Sequence, residues 1–193
     1  MSQSTHYDYT ADAALERLKA GNRRYAEESF ASMDISRVVL KRFQDYGQHP
    51  YAIVITCSDS RVIPEAIFSA GIGDLFVIRL AGNVIDDHQL GSIEYAADHL
   101  GTGLVVVLGH TNCGAIEAVL SGHASGYIRY IAEDIAEAIG QEKDPYEACW
   151  KNVRHCCEKI ESSLLIKEDE EKYGLRVIGA VYDIENGQVT FEE

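Results

Sequence analysis

"YAIVITCSDSRVIPEAIF", residues 51–68, decides the fold. Its first six residues form a short continuous apolar run that suits a strand buried on both faces, and Pro64 marks the first turn of a following helix. A strand that feeds straight into a helix is half of a parallel α/β unit. Between the two stands "CSDSR", which places a thiol at Cys57, a carboxylate at Asp59 and a guanidinium at Arg61. If the segment stays extended past the strand, these three alternate residues share one face.

The same alternation continues outward along the chain. "DLFVIRL" (74–80) and "GLVVVLG" (103–109) are β-rich runs separated by the helical segment "QLGSIEYAADHLG" (89–101), and a further helix begins at "CGAIEAVL" (113–120). Two helices fill 125–166, where apolar residues recur three and four apart. Near the C-terminus, Asn186-Gly187 lies between alternating runs and signals a hairpin, so the last strand is antiparallel and at an edge. Upstream, Thr10 offers an N-cap to a helix over 11–28, with Leu15, Leu18 and Tyr25 at helical spacing, and a second helix covers 35–45. The expected fold is α/β: a mostly parallel sheet of four strands with an antiparallel edge strand, flanked by helices. Residues 1–46 form an N-terminal helical arm and 47–193 the core of one domain.

A chain of 193 residues can bury one full core. Hydrophobic content of 46% with 25% charged residues is ordinary for a globular protein, and no apolar run approaches the roughly 18 to 20 residues of a membrane span. Net charge of −14 repels nucleic acid and acidic membrane surfaces, which excludes both as expected partners. The first residues lack a basic stretch followed by an apolar one, so a cytoplasmic, reducing compartment is expected. Five cysteines form no disulfide framework. Cys149, Cys156 and Cys157 read as buried small hydrophobes, and "KEDEEK" (167–172) as a solvated helix end or loop without chemistry.

Chemistry concentrates where an α/β sheet gathers its ligands, beyond the carboxyl ends of the strands. Cys57 ends the first strand, while His110 and Cys113 in "GHTNCG" end the third and open its helix. Two thiolates and an imidazole suit Zn²⁺, and three protein ligands leave the open position of a catalytic rather than a structural site. A His-x-x-Cys spacing is weak by itself; the independent arrival of Cys57 at a neighbouring strand end strengthens it. Gly109 and Gly114 fit a tight turn around an ion, as they would an ordinary turn. Arg61 can pair with Asp59 and hold its carboxylate, ionised, beside a metal-bound water. The alternative is a surface ion pair that contributes little.

With these residues in place, the sequence resembles the β-class carbonic anhydrases. "CSDSR" (57–61) is similar to their Cys-x-Asp-x-Arg signature and "HTNC" (110–113) to their His-x-x-Cys signature. Likeness extends through "FVIRLAGNV", "GSIEYAADHLG", "VVVLGHTNCGA", Asn152-Val153 and "GAVYDIENGQV", from about residue 12 onward. The resemblance implies that Cys57, His110 and Cys113 hold Zn²⁺ and that a zinc-bound hydroxide attacks carbon dioxide to give bicarbonate, with the Asp59–Arg61 dyad orienting the water. It also implies a closed state in which Asp59 is the fourth ligand. Gln48, Phe76, Tyr95 and Gly114 match substrate-facing positions, in a site completed across the interface of a homodimer or homotetramer. Read from the residues alone, Gln48 is equally a polar loop residue, and Phe76 and Tyr95 ordinary core.

Members with a second, regulatory bicarbonate site carry a tryptophan where this chain has Val54, and an arginine matched by Arg79; that site is expected to be absent or altered here. His88, His99 and His123 are candidate proton shuttles and equally surface histidines. Two other readings stay open: hydrolysis of carbon disulfide or carbonyl sulfide at the same zinc, and a zinc-stabilised scaffold subunit without catalysis.

Overall fold

The computed structural model describes residues 7, 9–29 and 36–192. Five strands form one sheet: β1 (Ala52–Thr56), β2 (Leu75–Arg79), β3 (Leu104–His110), β4 (Arg176–Tyr182) and β5 (Val189–Phe191), in the order β2-β1-β3-β4-β5. The first four run parallel and β5 is antiparallel at its edge. Around them lie α1 (Ala11–Ala26), α2 (Arg37–Tyr46), α3 (Pro64–Ile67), α4 (Asp87–Leu100), α5 (Gly114–Leu120), α6 (Ile128–Ile139), α7 (Pro145–Glu161) and α8 (Leu164–Tyr173). This is the expected α/β architecture, with four parallel strands and an antiparallel edge.

Strand alternation divides the core into two layers. Ala52, Val54, Leu104, Val106, Leu108, Ile178 and Ala180 face α1, whose Ala14, Leu15 and Leu18 are buried among them. Ile53, Ile55, Val105, Val107 and Val181 face the other way, under Ile93, Ala96 and Ala97 of α4 and Trp150, Val153 and Cys157 of α7. Burial on both faces is why β1 and β3 read as unbroken apolar runs. The Thr56 hydroxyl, buried at the end of β1, donates to the Leu108 carbonyl of β3 at 2.7 Å and ties the two strand ends together. α1 buries its apolar stripe on this chain's own sheet, whereas α2 has no buried residue.

Several expectations shift. α1 begins after the Thr10 cap, whose side chain accepts from Ala13 N–H, and ends at Ala26. α2 starts after Ser36; the expected start at residue 35 lies outside the described residues. α4 begins two residues before the expected Gln89, because Asp86 and Gln89 close a reciprocal capping box. Three helices rather than two follow residue 125, since Ser163 breaks the apolar periodicity and caps α8 by accepting from Ile166 N–H. The hairpin between β4 and β5 closes through Asp183 N–H donating to Gln188 O at 2.8 Å, so the loop is longer than an Asn-Gly turn alone. All five cysteines are buried and unpaired as disulfides. Among the described residues no helix is long and apolar enough to cross a membrane.

The "KEDEEK" run lies within α8 and is not wholly solvated: Asp169 turns inward and is 7% exposed. Burial raises its carboxyl pKa, and the neighbouring Tyr7 hydroxyl opposes this only in part. A folded-state pKa above the unfolded one gives stability that is complete below the unfolded value and is lost as pH rises through the folded value. Asp169→Asn is therefore expected to raise the melting temperature more at about pH 7 than at about pH 4. Equal gains at both, in thermal unfolding followed by circular dichroism, would contradict the inward carboxylate as a source of strain.

Candidate metal centre

Neighbouring parallel strands end close together, and the chain places its candidate ligands there. Cys57 follows the last residue of β1, His110 is the last residue of β3, and Cys113 caps the start of α5. Their sulfur and imidazole nitrogen atoms all lie within 4.8 Å of one another, and all three residues are buried. Val84, Ile116, Ile135, Ile139 and Ala148 wall the cluster with apolar surface.

The His-x-x-Cys turn is held from both sides. Asn112 adopts φ 56°, the left-handed conformation in which asparagine is the best tolerated residue after glycine. Thr111 N–H donates to Tyr182 O at 2.9 Å, and the Thr111 hydroxyl oxygen accepts from Ile184 N–H at 3.0 Å, which pins the turn to the end of β4. Gly109, expected to serve the turn, lies instead within β3: a Cβ there would stand 2.6 Å from Val153 Cγ2 and 2.8 Å from Cys149 Sγ, so its smallness admits α7. Gly114 opens α5 with open space where its Cβ would be.

His110 Nδ1 is 2.9 Å from the Thr111 carbonyl, an acceptor only, so Nδ1 carries the proton. Nε2 is left as a lone-pair donor, buried and, among the described residues, without a hydrogen-bond partner. Such an orphaned atom, facing two thiols, is what a metal ligand presents. The Cys57 pKa is drawn down by the hydrogen bond from the Cys113 thiol, with the Gly82 N–H adding to this, and Cys113 is pushed up by the same pairing. The pair carries one negative charge readily and resists a second. A divalent cation in place of the shared proton relieves that resistance.

Asp59 and Arg61 meet beside this cluster, though not by strand alternation. The chain turns after β1, with Val62 N–H donating to Asp59 O at 3.0 Å. Within that turn Asp59 Oδ1 accepts from the Arg61 backbone N–H at 2.9 Å and from Nε at 3.0 Å, and Oδ2 accepts from a terminal guanidinium nitrogen at 2.7 Å. The fork keeps the carboxyl pKa far below the ordinary carboxylate range. Arg61 also donates to Asn112 O at 3.1 Å, linking the two signature segments. Asp59 Oδ2 ends 4.0 Å from His110 Nε2, with its carboxylate turned to Arg61. Unlike an isolated surface pair, this one is built into a backbone turn.

Other anticipated residues stand elsewhere in the chain. Gln48 is exposed and precedes β1, at the opposite end of a strand about 17 Å long. Phe76 pairs with Ile53, three residues short of the strand end, and packs on Tyr95 with ring centroids 6.3 Å apart. Val54 is sealed under α1, and Arg79 donates to the Cys57 and Asp59 carbonyls at 3.2 and 2.7 Å. His88 and His99 are exposed on α4 beside Asp86 and Asp98, and His123 is exposed after α5. Two further contributors lie in stretches of the likeness to which the sequence assigned no role: Gly82, whose N–H donates to Cys57 Sγ at 3.3 Å, and Asn152, which donates to Gly82 O at 2.8 Å. The Gly82-Asn83 pair, three residues past the end of β2, is a turn signal that marks the first.

Fold and cluster define the class: an open, mostly parallel α/β sheet with a Cys–His–Cys cluster that could hold a metal ion beyond its carboxyl ends. The family model described as carbonic anhydrase matches residues 52–189. Carbonic anhydrase 2 of Mycobacterium tuberculosis (strain ATCC 25618 / H37Rv) is 35% identical, covering 94% of this chain and 92% of its own length. The carbonic anhydrase of Mycolicibacterium smegmatis is 36% identical, covering 92% and 91%. Among solved structures, the β-carbonic anhydrase CcaA superposes with a TM-score of 0.72 at 26% identity, over 93% of this chain and 87% of its own. One of two tetrameric β-carbonic anhydrases from Sordaria macrospora gives 0.72 at 26% identity over 92% and 94%. The chain belongs to the carbonic anhydrase family of enzymes, in its β class.

Because Asn112 carries the left-handed turn between two ligands, Asn112→Gly is expected to keep metal uptake and stability within about 0.5 kcal/mol, and Asn112→Val to cost about 1–2 kcal/mol. Urea denaturation of both variants, with metal content measured in parallel, checks this; equal stability would remove the turn from the account.

Proposed function

We propose that this protein catalyses the reversible hydration of carbon dioxide to bicarbonate and a proton at a Zn²⁺ held by Cys57, His110 and Cys113. The observation that carries the proposal is the buried Cys–His–Cys cluster with a forked Asp59–Arg61 pair at its mouth. Two thiols and one imidazole suit zinc's preference for sulfur and nitrogen in a tetrahedral shell. Zinc supplies Lewis acidity, which makes water nucleophilic near neutral pH.

The chain's own residues do the rest. Nδ1 of His110, held by Thr111 O, leaves Nε2 as the lone-pair atom that would bind the ion. Arg61 keeps Asp59 ionised and draws it aside from the cluster, where the carboxylate would accept a hydrogen bond from a water activated by the ion and orient it toward CO₂. Apolar walls from Val84 and Ile116 suit a small apolar substrate. The product proton leaves to solvent and buffer. Asp59 rotated away from Arg61 would close the site as a fourth ligand.

Substrate contacts by Gln48, Phe76 and Tyr95 require a second copy of the chain, since within one chain they stand away from the cluster, whereas Gly114 borders it. Half-exposed apolar residues along the edge strand β2, an exposed Tyr95 and the unburied α2 support a homodimer or homotetramer with the site at its interface. We place the enzyme in the cytoplasm, where thiols stay reduced.

Purified protein is expected to carry one zinc per chain and to hydrate CO₂ faster than it hydrolyses carbonyl sulfide in parallel assays; the reverse preference would reassign the substrate. Cys113→Ser should lose bound zinc by metal analysis. Asp59→Ala should retain zinc but lower kcat about 10- to 100-fold; unchanged hydration would end the dyad's role. A monomer in light scattering would contradict the shared site.

A further inference from the structure

Helix α7 turns one face toward the metal centre, and that face carries hydrogen-bond donors where plain packing would need none. Cys149, Asn152 and Cys156, three and four residues apart, are all buried. Each donates to a backbone carbonyl of the loops that build the centre: Cys149 to His110 O at 3.5 Å, Asn152 to Gly82 O at 2.8 Å and Cys156 to Asn83 O at 3.3 Å. Thiols are weak donors; the amide is the strong one of the three. Facing a carbonyl, the Asn152 amide must present its nitrogen, which settles its orientation.

Gly82 is the point where this face reaches a ligand. Its φ of 69° is left-handed, and a Cβ would stand 2.7 Å from Ile135 Cδ1 and 3.0 Å from Ala115 Cβ, so the turn has little room to shift. Its carbonyl is clamped by Asn152 while its own N–H points at Cys57 Sγ. A hydrogen bond to a ligating sulfur withdraws electron density from it and fixes its direction. Without the Asn152 donor, a carbonyl in a dry environment would seek another partner, and the turn would rotate.

We propose that Asn152 is a positioning residue of the metal centre: acting through the Gly82 turn, it fixes the N–H that faces the Cys57 sulfur and so sets how that sulfur binds metal. This rests on Cys57, His110 and Cys113 being metal ligands. The test compares wild type, Asn152→Ala, Asn152→Ser and Cys156→Ala as full chains, each exchanged with Co²⁺. Cys156→Ala removes a donor from the same helix face whose acceptor does not touch a ligand. Sulfur-to-cobalt charge-transfer absorption and metal affinity by chelator competition are read beside thermal stability.

Asn152→Ala is expected to shift the charge-transfer band and to weaken metal affinity about 10- to 100-fold. Asn152→Ser, which keeps a shorter donor, should fall between it and wild type, and it carries the test if the alanine variant does not fold. Cys156→Ala should lose stability but keep the wild-type band and affinity within about twofold. Wild-type spectra and affinity in both Asn152 variants, or an equal shift in Cys156→Ala, would overturn the inference while leaving the metal centre intact. A wild type that takes up Co²⁺ without any sulfur-to-cobalt band would overturn the inference together with the ligand assignment.

Discussion

The pairing of β1 with β3 is the constraint on which the rest of the molecule depends. Ile53 to Thr56 lie in register with Val105 to Leu108, and a buried hydroxyl-to-carbonyl bond closes the end of the ladder. A slip of one residue would turn every side chain of β1 to the other face, exchanging the layer under α1 for the layer under α4 and α7. It would also carry Cys57 away from His110, since both are fixed by where their strands stop. The centre is therefore a consequence of sheet register, with little freedom left to the loops.

Electrostatics in the centre follows from that enforced closeness. Two thiols and an imidazole packed among apolar residues cannot all be satisfied by one another, and the unpartnered His110 nitrogen is the visible remainder. Around them the polar groups that do find partners belong to turns: the Asp59–Arg61 fork, the Thr111 bridge to β4 and the Gly82 N–H. Each fixes a direction as well as an energy, which suits a site whose ligands must converge to within a few tenths of an ångström.

Much of this was legible in the residues because the controlling features are local or periodic. Continuous apolar runs announced the buried strands, Pro64 the helix after β1, and the two signatures the Cys–His–Cys cluster and the Asp59–Arg61 pair. What escaped was set by distances that no single segment carries. Gly109 read as a turn glycine because nothing in its neighbours announces that Val153 will press on it from a helix more than forty residues later. The dyad was assigned through extended geometry because an Asx turn and a strand end share the same residue types. Read from the sequence, the start of α8 joins α7 because a serine is an equally ordinary residue inside a helix, and the capping bond of Ser163 is visible only in three dimensions. Within one chain Gln48, Phe76 and Tyr95 stand away from the cluster, so the substrate role that the likeness implies for them rests on the proposed second copy.

The separation of the ligands along the chain has a kinetic side. Cys113 and His110 come together as soon as one turn forms, but Cys57 joins them only after the intervening segment, with β2 and α4 in it, has folded back to place β1 beside β3. With metal bound as proposed, an ion bridging these strand ends would span a loop of roughly fifty residues and act on the unfolded chain as a reversible cross-link. Metal supply would then bear on how quickly newly made chains reach their native topology, and a chain starved of it would have to find the central strand pairing by apolar contacts alone.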